Sequence, residues 1–135
     1  MFSTFGGNPL AVTAVSCVLD VISWQKLQEN AAETGRYLRE KLEDLRSYRF
    51  VGDIRGVGLF QGIDIVKDKE SRVEDGELAS KIILMMREKD ILVSRDGVEG
   101  NVLKIKPPII FNKADADFLI STLDRVLKED FMQLD

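Results

Sequence analysis

Gly52-Asp53-Ile54-Arg55-Gly56-Val57-Gly58-Leu59-Phe60-Gln61-Gly62-Ile63-Asp64-Ile65-Val66 is the stretch on which the fold turns. Gly52 and Gly56 punctuate the segment around Arg55, and Val57 to Val66 reads as a strand. Successive side chains of a strand point to opposite faces. Leu59, Ile63 and Ile65 therefore share one face, and Phe60, Gly62, Asp64 and Val66 share the other. Two partly apolar faces predict an interior strand covered by helices on at least one side.

C-terminal to this strand, the charged stretch Lys67 to Gly76 reads as a surface loop. Glu77 to Lys89 carries apolar residues at helical spacing, with Leu78, Ile82, Met85 and Met86 as its buried positions. The methionines serve as core filler. Ile91 to Ser94 and Val102 to Lys106 read as two short strands joined through Asp96-Gly97 and Gly100. In the second, Val102, Lys104 and Lys106 share a face opposite Leu103 and Ile105. Pro107-Pro108 ends the pairing, because proline donates no ladder hydrogen bond. Asn112 caps a last helix, with Asp115 completing a capping box, Phe111 placed to staple against Ala116, and Leu119, Ile120, Leu123 and Leu127 turned inward.

N-terminal to the strand, Leu10 to Ile22 is apolar on nearly every face and predicts a buried helix. Ser23 is placed to cap a second helix starting at Trp24. Its stripe is Trp24, Leu27, Ala31, Leu38, Leu42 and Leu45, with Thr34 or Gly35 filling the gap, and Lys26, Glu29, Glu33, Arg36, Glu40 and Glu43 form the solvated face. No repeat, linker or low-complexity tract interrupts residues 1–135, which read as a single domain. The expected class is α+β (α/β in looser schemes): a small, mostly antiparallel sheet with helices packed on one face.

Composition narrows the chemistry. Hydrophobic residues make up 44% and charged residues 31% of the 135, the balance of an ordinary globular domain. A net charge of −4 argues against a general nucleic-acid binder. Leu10 to Ile22 is too short, and too interrupted by Thr13, Ser16 and Asp20, for a membrane span or signal peptide. The absence of histidine removes Ser-His-Asp and Cys-His catalysis and speaks against an N/S-ligated zinc site; no metal is expected. The acidic runs around Asp64 to Asp68 and Glu74-Asp75 lack the oxygen-ligand spacing of a calcium loop. A single cysteine, Cys17, fits a reducing, intracellular compartment and the role of a small buried hydrophobe.

At the other end stands Ser3-Thr4-Phe5-Gly6-Gly7-Asn8-Pro9. Hydroxyls, paired glycines and an Asn-Pro step ahead of a helix make a compact arrangement for a phosphate, because the helix points its positive end at the ligand. The same residues also read as an N-cap and a tight entry with no ligand. The segment closely resembles the one that opens the C-terminal part of class-III, pyridoxal-phosphate-dependent aminotransferases. The likeness continues through Gly52 to Phe60 and Asn101 to Pro108, and so covers nearly the whole chain. Within that family it is closest to the alanine–glyoxylate-aminotransferase-2-like branch, which includes the ethanolamine-phosphate and phosphohydroxylysine phospho-lyases.

The resemblance carries specific implications. It implies the small C-terminal domain of a fold-type-I enzyme, with pyridoxal 5'-phosphate as cofactor in the complete protein. Thr4, with Ser3 in support, would bind the cofactor phosphate in the active site of the partner subunit. The lysine that carries the cofactor and the acid beside its ring nitrogen belong to the large domain of the family, so no catalytic residue is expected in this chain, nor activity from it alone. Partners would be that large domain, a homodimer mate and a small phosphorylated amine, with no nucleic acid and no membrane.

Lys104 stands where many class-III aminotransferases have an arginine that pairs with the substrate carboxylate. Lysine keeps the charge but lacks the planar fork. That departure favours elimination of phosphate from a phosphorylated amine over ordinary transamination, with Lys104 as a substrate-binding residue. Transamination to an oxo acid such as glyoxylate or pyruvate is the enzymatic alternative, and a free-standing interaction or regulatory domain is the non-enzymatic one. Arg55, set between glycines, is expected to pair an acid or carbonyls at least as readily as it would meet a substrate.

Overall fold

The glycines of the Gly52 to Gly62 stretch turn the chain back on itself. In the computed structural model, which describes residues 6–131, this stretch is a hairpin: β1 (Val51–Val57) pairs antiparallel with β2 (Phe60–Ile65). The single strand expected over Val57 to Val66 is thus the second arm of a pair, and the Arg55 segment, read as a connection, is the first. The reversal falls at Gly58, φ +54°, while Gly56 at φ +148° lies across from Gln61. A β-carbon on Gly56 would stand 2.1 Å from the Phe60 carbonyl oxygen, so only glycine fits. Glycine weakens strands in general; here it permits the close approach of two arms.

Two further strands, β3 (Ser94–Asp96) and β4 (Val102–Ile105), complete a four-stranded antiparallel sheet in the order β1-β2-β4-β3. β3 lies later than the expected Ile91 to Ser94, because Ile91 and Val93 pack against the core as an extended lead-in rather than pairing. β2 is interior, as its two partly apolar faces foretold.

The core lies between one face of the sheet and three helices. From the sheet come Val51, Ile54, Ile63, Ile65, Leu103 and Ile105, all buried. Helix α2 (Leu27–Asp44) supplies Leu38 and Leu42, α3 (Gly76–Glu88) Ala79, Ile82 and Met86, and α4 (Lys113–Phe131) Ala116, Leu119, Leu123, Val126 and Leu127. Each fully buried Leu or Ile contributes roughly 1.5–3 kcal/mol. The end signals read in the sequence operate at α4. Asn112 Oδ1 accepts from the amides of Ala114 at 2.8 Å and Asp115 at 3.2 Å, and Asp115 Oδ2 accepts from the Asn112 amide at 3.0 Å. Asp75 caps α3 by accepting from the Leu78 amide at 2.9 Å.

The N-terminal helix departs from expectation. α1 runs Pro9–Trp24 and buries none of its residues; Leu10 and Trp24 are each about four-fifths exposed. Cys17, expected inside, is exposed with it. The covered face of the sheet is already filled by α2, α3 and α4, and α1 projects from the start of α2 with its apolar faces uncovered. Nor does Ser23 begin a new helix. It sits in the last turn of α1, its carbonyl accepting from the Lys26 amide at 3.2 Å, and the chain bends 51° at Lys26, φ +50°, before α2 starts at Leu27. No single helix among the described residues is long and apolar enough to cross a membrane.

Candidate functional site

The sheet face turned away from the helices carries the charge. Register fixes its rows: Arg55 is paired with Gly62, and Gly62 with Lys104, while Asp64 is paired with Asp53 and Val102. Alternation then sends Asp53, Arg55, Asp64, Val102 and Lys104 to the open side, and Ile54, Ile63, Leu103 and Ile105 to the core. Lys104 thus stands where strand alternation put it, though Lys106 lies past the end of β4 and is exposed.

Lys104 is half-buried, and its Nζ donates to Asp96 Oδ2 at 2.8 Å across the β3–β4 ladder. The hydrogen bond from Lys104 holds the Asp96 carboxyl below the usual range, helped by the Gly97 amide at 2.9 Å and by the lysine charge. On the other side of Gly62, Arg55 grips Asp64 with both terminal nitrogens, Nη2 donating to Oδ1 at 2.7 Å and Nη1 to Oδ2. Asp53 Oδ2 stands 3.6 Å from the same Nη1. Arg55 therefore does pair acids, as one sequence reading held, but it does so on the open face beside Lys104.

The two cations line one cavity of about 370 Å³, with Gly62 in its floor and Phe60, Val102 and Asp96 in its walls. Nothing in the sequence pointed to Arg55 and Lys104 sharing a cavity, because the β1–β2–β4 order was not legible there. Gln61 lies at the same end of the sheet. Its Nε2 donates to the Gly58 carbonyl at 2.7 Å, while its buried Oε1 has no hydrogen-bond partner among the described residues. A second, larger cavity of about 570 Å³ lies beyond Pro107-Pro108, between the β3 lead-in and α4.

Ser3 and Thr4 lie outside the described residues. The neighbouring turn is in view: Gly7 has φ +81° with open space where a β-carbon would be, Asn8 Oδ1 accepts from the Ala11 amide at 2.9 Å, and Pro9 opens α1. No acidic residue sits in the first turn of α1. No group of three or more His, Cys, Asp or Glu side chains among the described residues could hold a metal ion.

Fold and site together define an α+β domain with helices on one sheet face and a cation-lined cavity on the other. The chain belongs to the class-III aminotransferases, a pyridoxal-phosphate-dependent family whose model matches residues 2–127. It is 44% identical over 124 residues to alanine–glyoxylate aminotransferase 2 homolog 2, mitochondrial, of Arabidopsis thaliana, covering 91% of this chain and 26% of that protein. Against ethanolamine-phosphate phospho-lyase homolog 1 of Caenorhabditis elegans it is 44% identical over 128 residues, 93% of this chain and 27% of the relative. Among solved structures, an Arthrobacter phospholyase in complex with phosphoethanolamine superposes with a TM-score of 0.88 at 39% identity, over 95% of this chain and 31% of that one. The chain therefore spans about a quarter of the length of the curated relatives it matches.

Proposed function

We propose that residues 1–135 form the C-terminal small domain of a pyridoxal-phosphate-dependent phospho-lyase, which eliminates phosphate from a phosphorylated amine or amino acid. The observation that carries the reading is Lys104: a compact ammonium on the open sheet face, at the edge of a cavity, with two of its three donors left after Asp96 takes one. A point charge on a flexible stem meets a phosphate without the fork geometry that a carboxylate favours. The likeness to the C. elegans phospho-lyase homolog and to the Arthrobacter phospholyase supports the same choice.

The entry to α1 fits the cofactor phosphate. Gly7 keeps its β-carbon side open, the helix aims its positive end outward, and no carboxylate opposes an anion in the first turn. Thr4 would donate its hydroxyl to a phosphate oxygen, with Ser3 supporting the loop, and would do so in the active site of a dimer mate. Bound pyridoxal phosphate supplies an electron sink beside the substrate amine, which is what makes loss of a neighbouring proton feasible. Lys104 meanwhile holds the departing phosphate at a fixed place, and Phe60 and Val102 narrow the water around it. The uncovered apolar surface of α1 is where the large domain and the homodimer mate would pack. The complete protein is read as intracellular.

The competing enzymatic reading is transamination, favoured by the name of the Arabidopsis relative. The test uses the complete protein, loaded with cofactor, and phosphoethanolamine. Release of inorganic phosphate with no oxo-acid acceptor is the expected result, with kcat/KM falling about tenfold in Lys104→Arg, a ~1.4 kcal/mol loss, and further in Lys104→Ala. Turnover that requires glyoxylate or pyruvate and releases no phosphate would overturn it.

A further inference from the structure

Arg55 and Lys104 flank Gly62 in register, one strand to either side. Their backbones are two strand spacings apart, roughly 10 Å, with no side chain between them. Both are long cations, and both line the cavity floored by Gly62. Asp64 and Asp96 offset the formal charges of Arg55 and Lys104, and Asp53, shared with Arg46, stands 3.6 Å from the Arg55 guanidinium. The two counter-ions differ in freedom. Asp64 is held bidentately by Arg55 with its side chain 23% exposed, whereas Asp96 takes one bond from Lys104 and one from the adjacent Gly97 amide with its side chain 61% exposed.

We propose that Arg55 and Lys104 form a single phosphate seat across Gly62, in which Asp96 is a resident counter-ion that turns out to solvent as the ligand phosphate enters. The proposal rests on the phospho-lyase reading for its substrate class, and adds Arg55 as a second binding residue and Asp96 as a residue that holds affinity down. Asp64 keeps the guanidinium in place, and Arg55 retains N–H donors beyond the two that Asp64 occupies. A phosphate has enough oxygens to take one donor from each side. Gly62 matters through size alone: a β-carbon there would stand 3.3 Å from Val102 Cγ1, a contact the valine can relieve by a small shift, while filling the floor of the seat.

The test is titration calorimetry of inorganic phosphate on the complete protein, beside KM for phosphoethanolamine. Arg55→Gln is expected to weaken phosphate about tenfold, and Gly62→Ala to weaken it without altering any charge. Asp96→Asn should strengthen it about fivefold, as expected for removing one well-solvated charge about 4 Å away. That opposite sign guards against a variant that merely folds badly, and Arg55→Lys should recover part of the loss. Should Asp96→Asn leave phosphate affinity unchanged or weaker, or Arg55→Gln leave it intact while Lys104→Ala abolishes it, the shared seat is wrong. Phosphate bound with the expected signs but no phosphate released from phosphoethanolamine would overturn the lyase reading and leave the seat standing. Phosphate release with KM indifferent to Arg55 and Asp96 would do the reverse.

Discussion

Asp124, on α4, shows how a single side chain joins two elements. Its Oδ1 accepts from the Tyr48 hydroxyl at 2.6 Å and its Oδ2 from Lys128 Nζ at 2.6 Å. Lys128 and then Tyr48 hold the carboxyl below the usual range, against burial, which acts to raise it. The Tyr48 phenol is pushed up, first by burial and then by Asp124, so it remains a donor at any working pH. A carboxyl depressed on folding contributes stability that is present above its unfolded value, about 4, and is lost as the pH falls through its lower folded value. Asp124→Asn should therefore lower the urea midpoint at pH 7 and narrow the gap between the midpoints at pH 7 and pH 3. An undiminished gap would assign the acid sensitivity elsewhere, to Glu43 or Asp53, whose carboxyls are also lowered and paired with Arg46.

At the scale of elements, α2 is seated on the hairpin by two glycines. A β-carbon on Gly35 would lie 2.3 Å from the Gly58 carbonyl carbon, so the helix rests directly on the β1–β2 turn. Alanine is the better helix former by ~1 kcal/mol, yet it would push α2 off the turn, and overpacking of this kind costs about 1–3 kcal/mol. We expect Gly35→Ala to destabilise the chain, as measured by the denaturant midpoint. A stabilised variant would mean that the contact relaxes freely. Asn30 ties the same helix to the approach of α4 by donating from Nδ2 to the carbonyls of Ile109 at 2.9 Å and Phe111 at 3.0 Å. The loop after Pro107-Pro108 is thereby fixed against α2.

For the molecule as a whole, the uneven cover of its apolar surface is the main feature. Val12, Val15, Val18 and Leu19 are each more than half exposed on α1, while the core behind the sheet is closed. The pair Val15→Lys and Leu19→Lys should leave the thermal midpoint of this chain nearly unchanged, since both side chains are more than half exposed and α1 buries no residue. The same pair should reduce self-association of the chain in sedimentation, and in the complete protein should loosen assembly. A lower midpoint in the isolated chain would show that α1 contributes to the domain's own stability.

Sequence alone determined the helical content, the outward charge of α2, the cap at Asn112, the strand ending at Pro107-Pro108 and the facing of Lys104, because each depends on near neighbours and periodicity. The opening motif and two later ones were enough to place the chain in its family. Tertiary structure decided that the glycine-rich segment pairs as β1, and that Arg55 meets Lys104 across Gly62, since strand order joins residues far apart in the chain. It also decided that α1, apolar enough for a core, lies outside this one. Hydrophobic periodicity reports that a helix needs cover, and only packing shows whether the cover comes from the same domain.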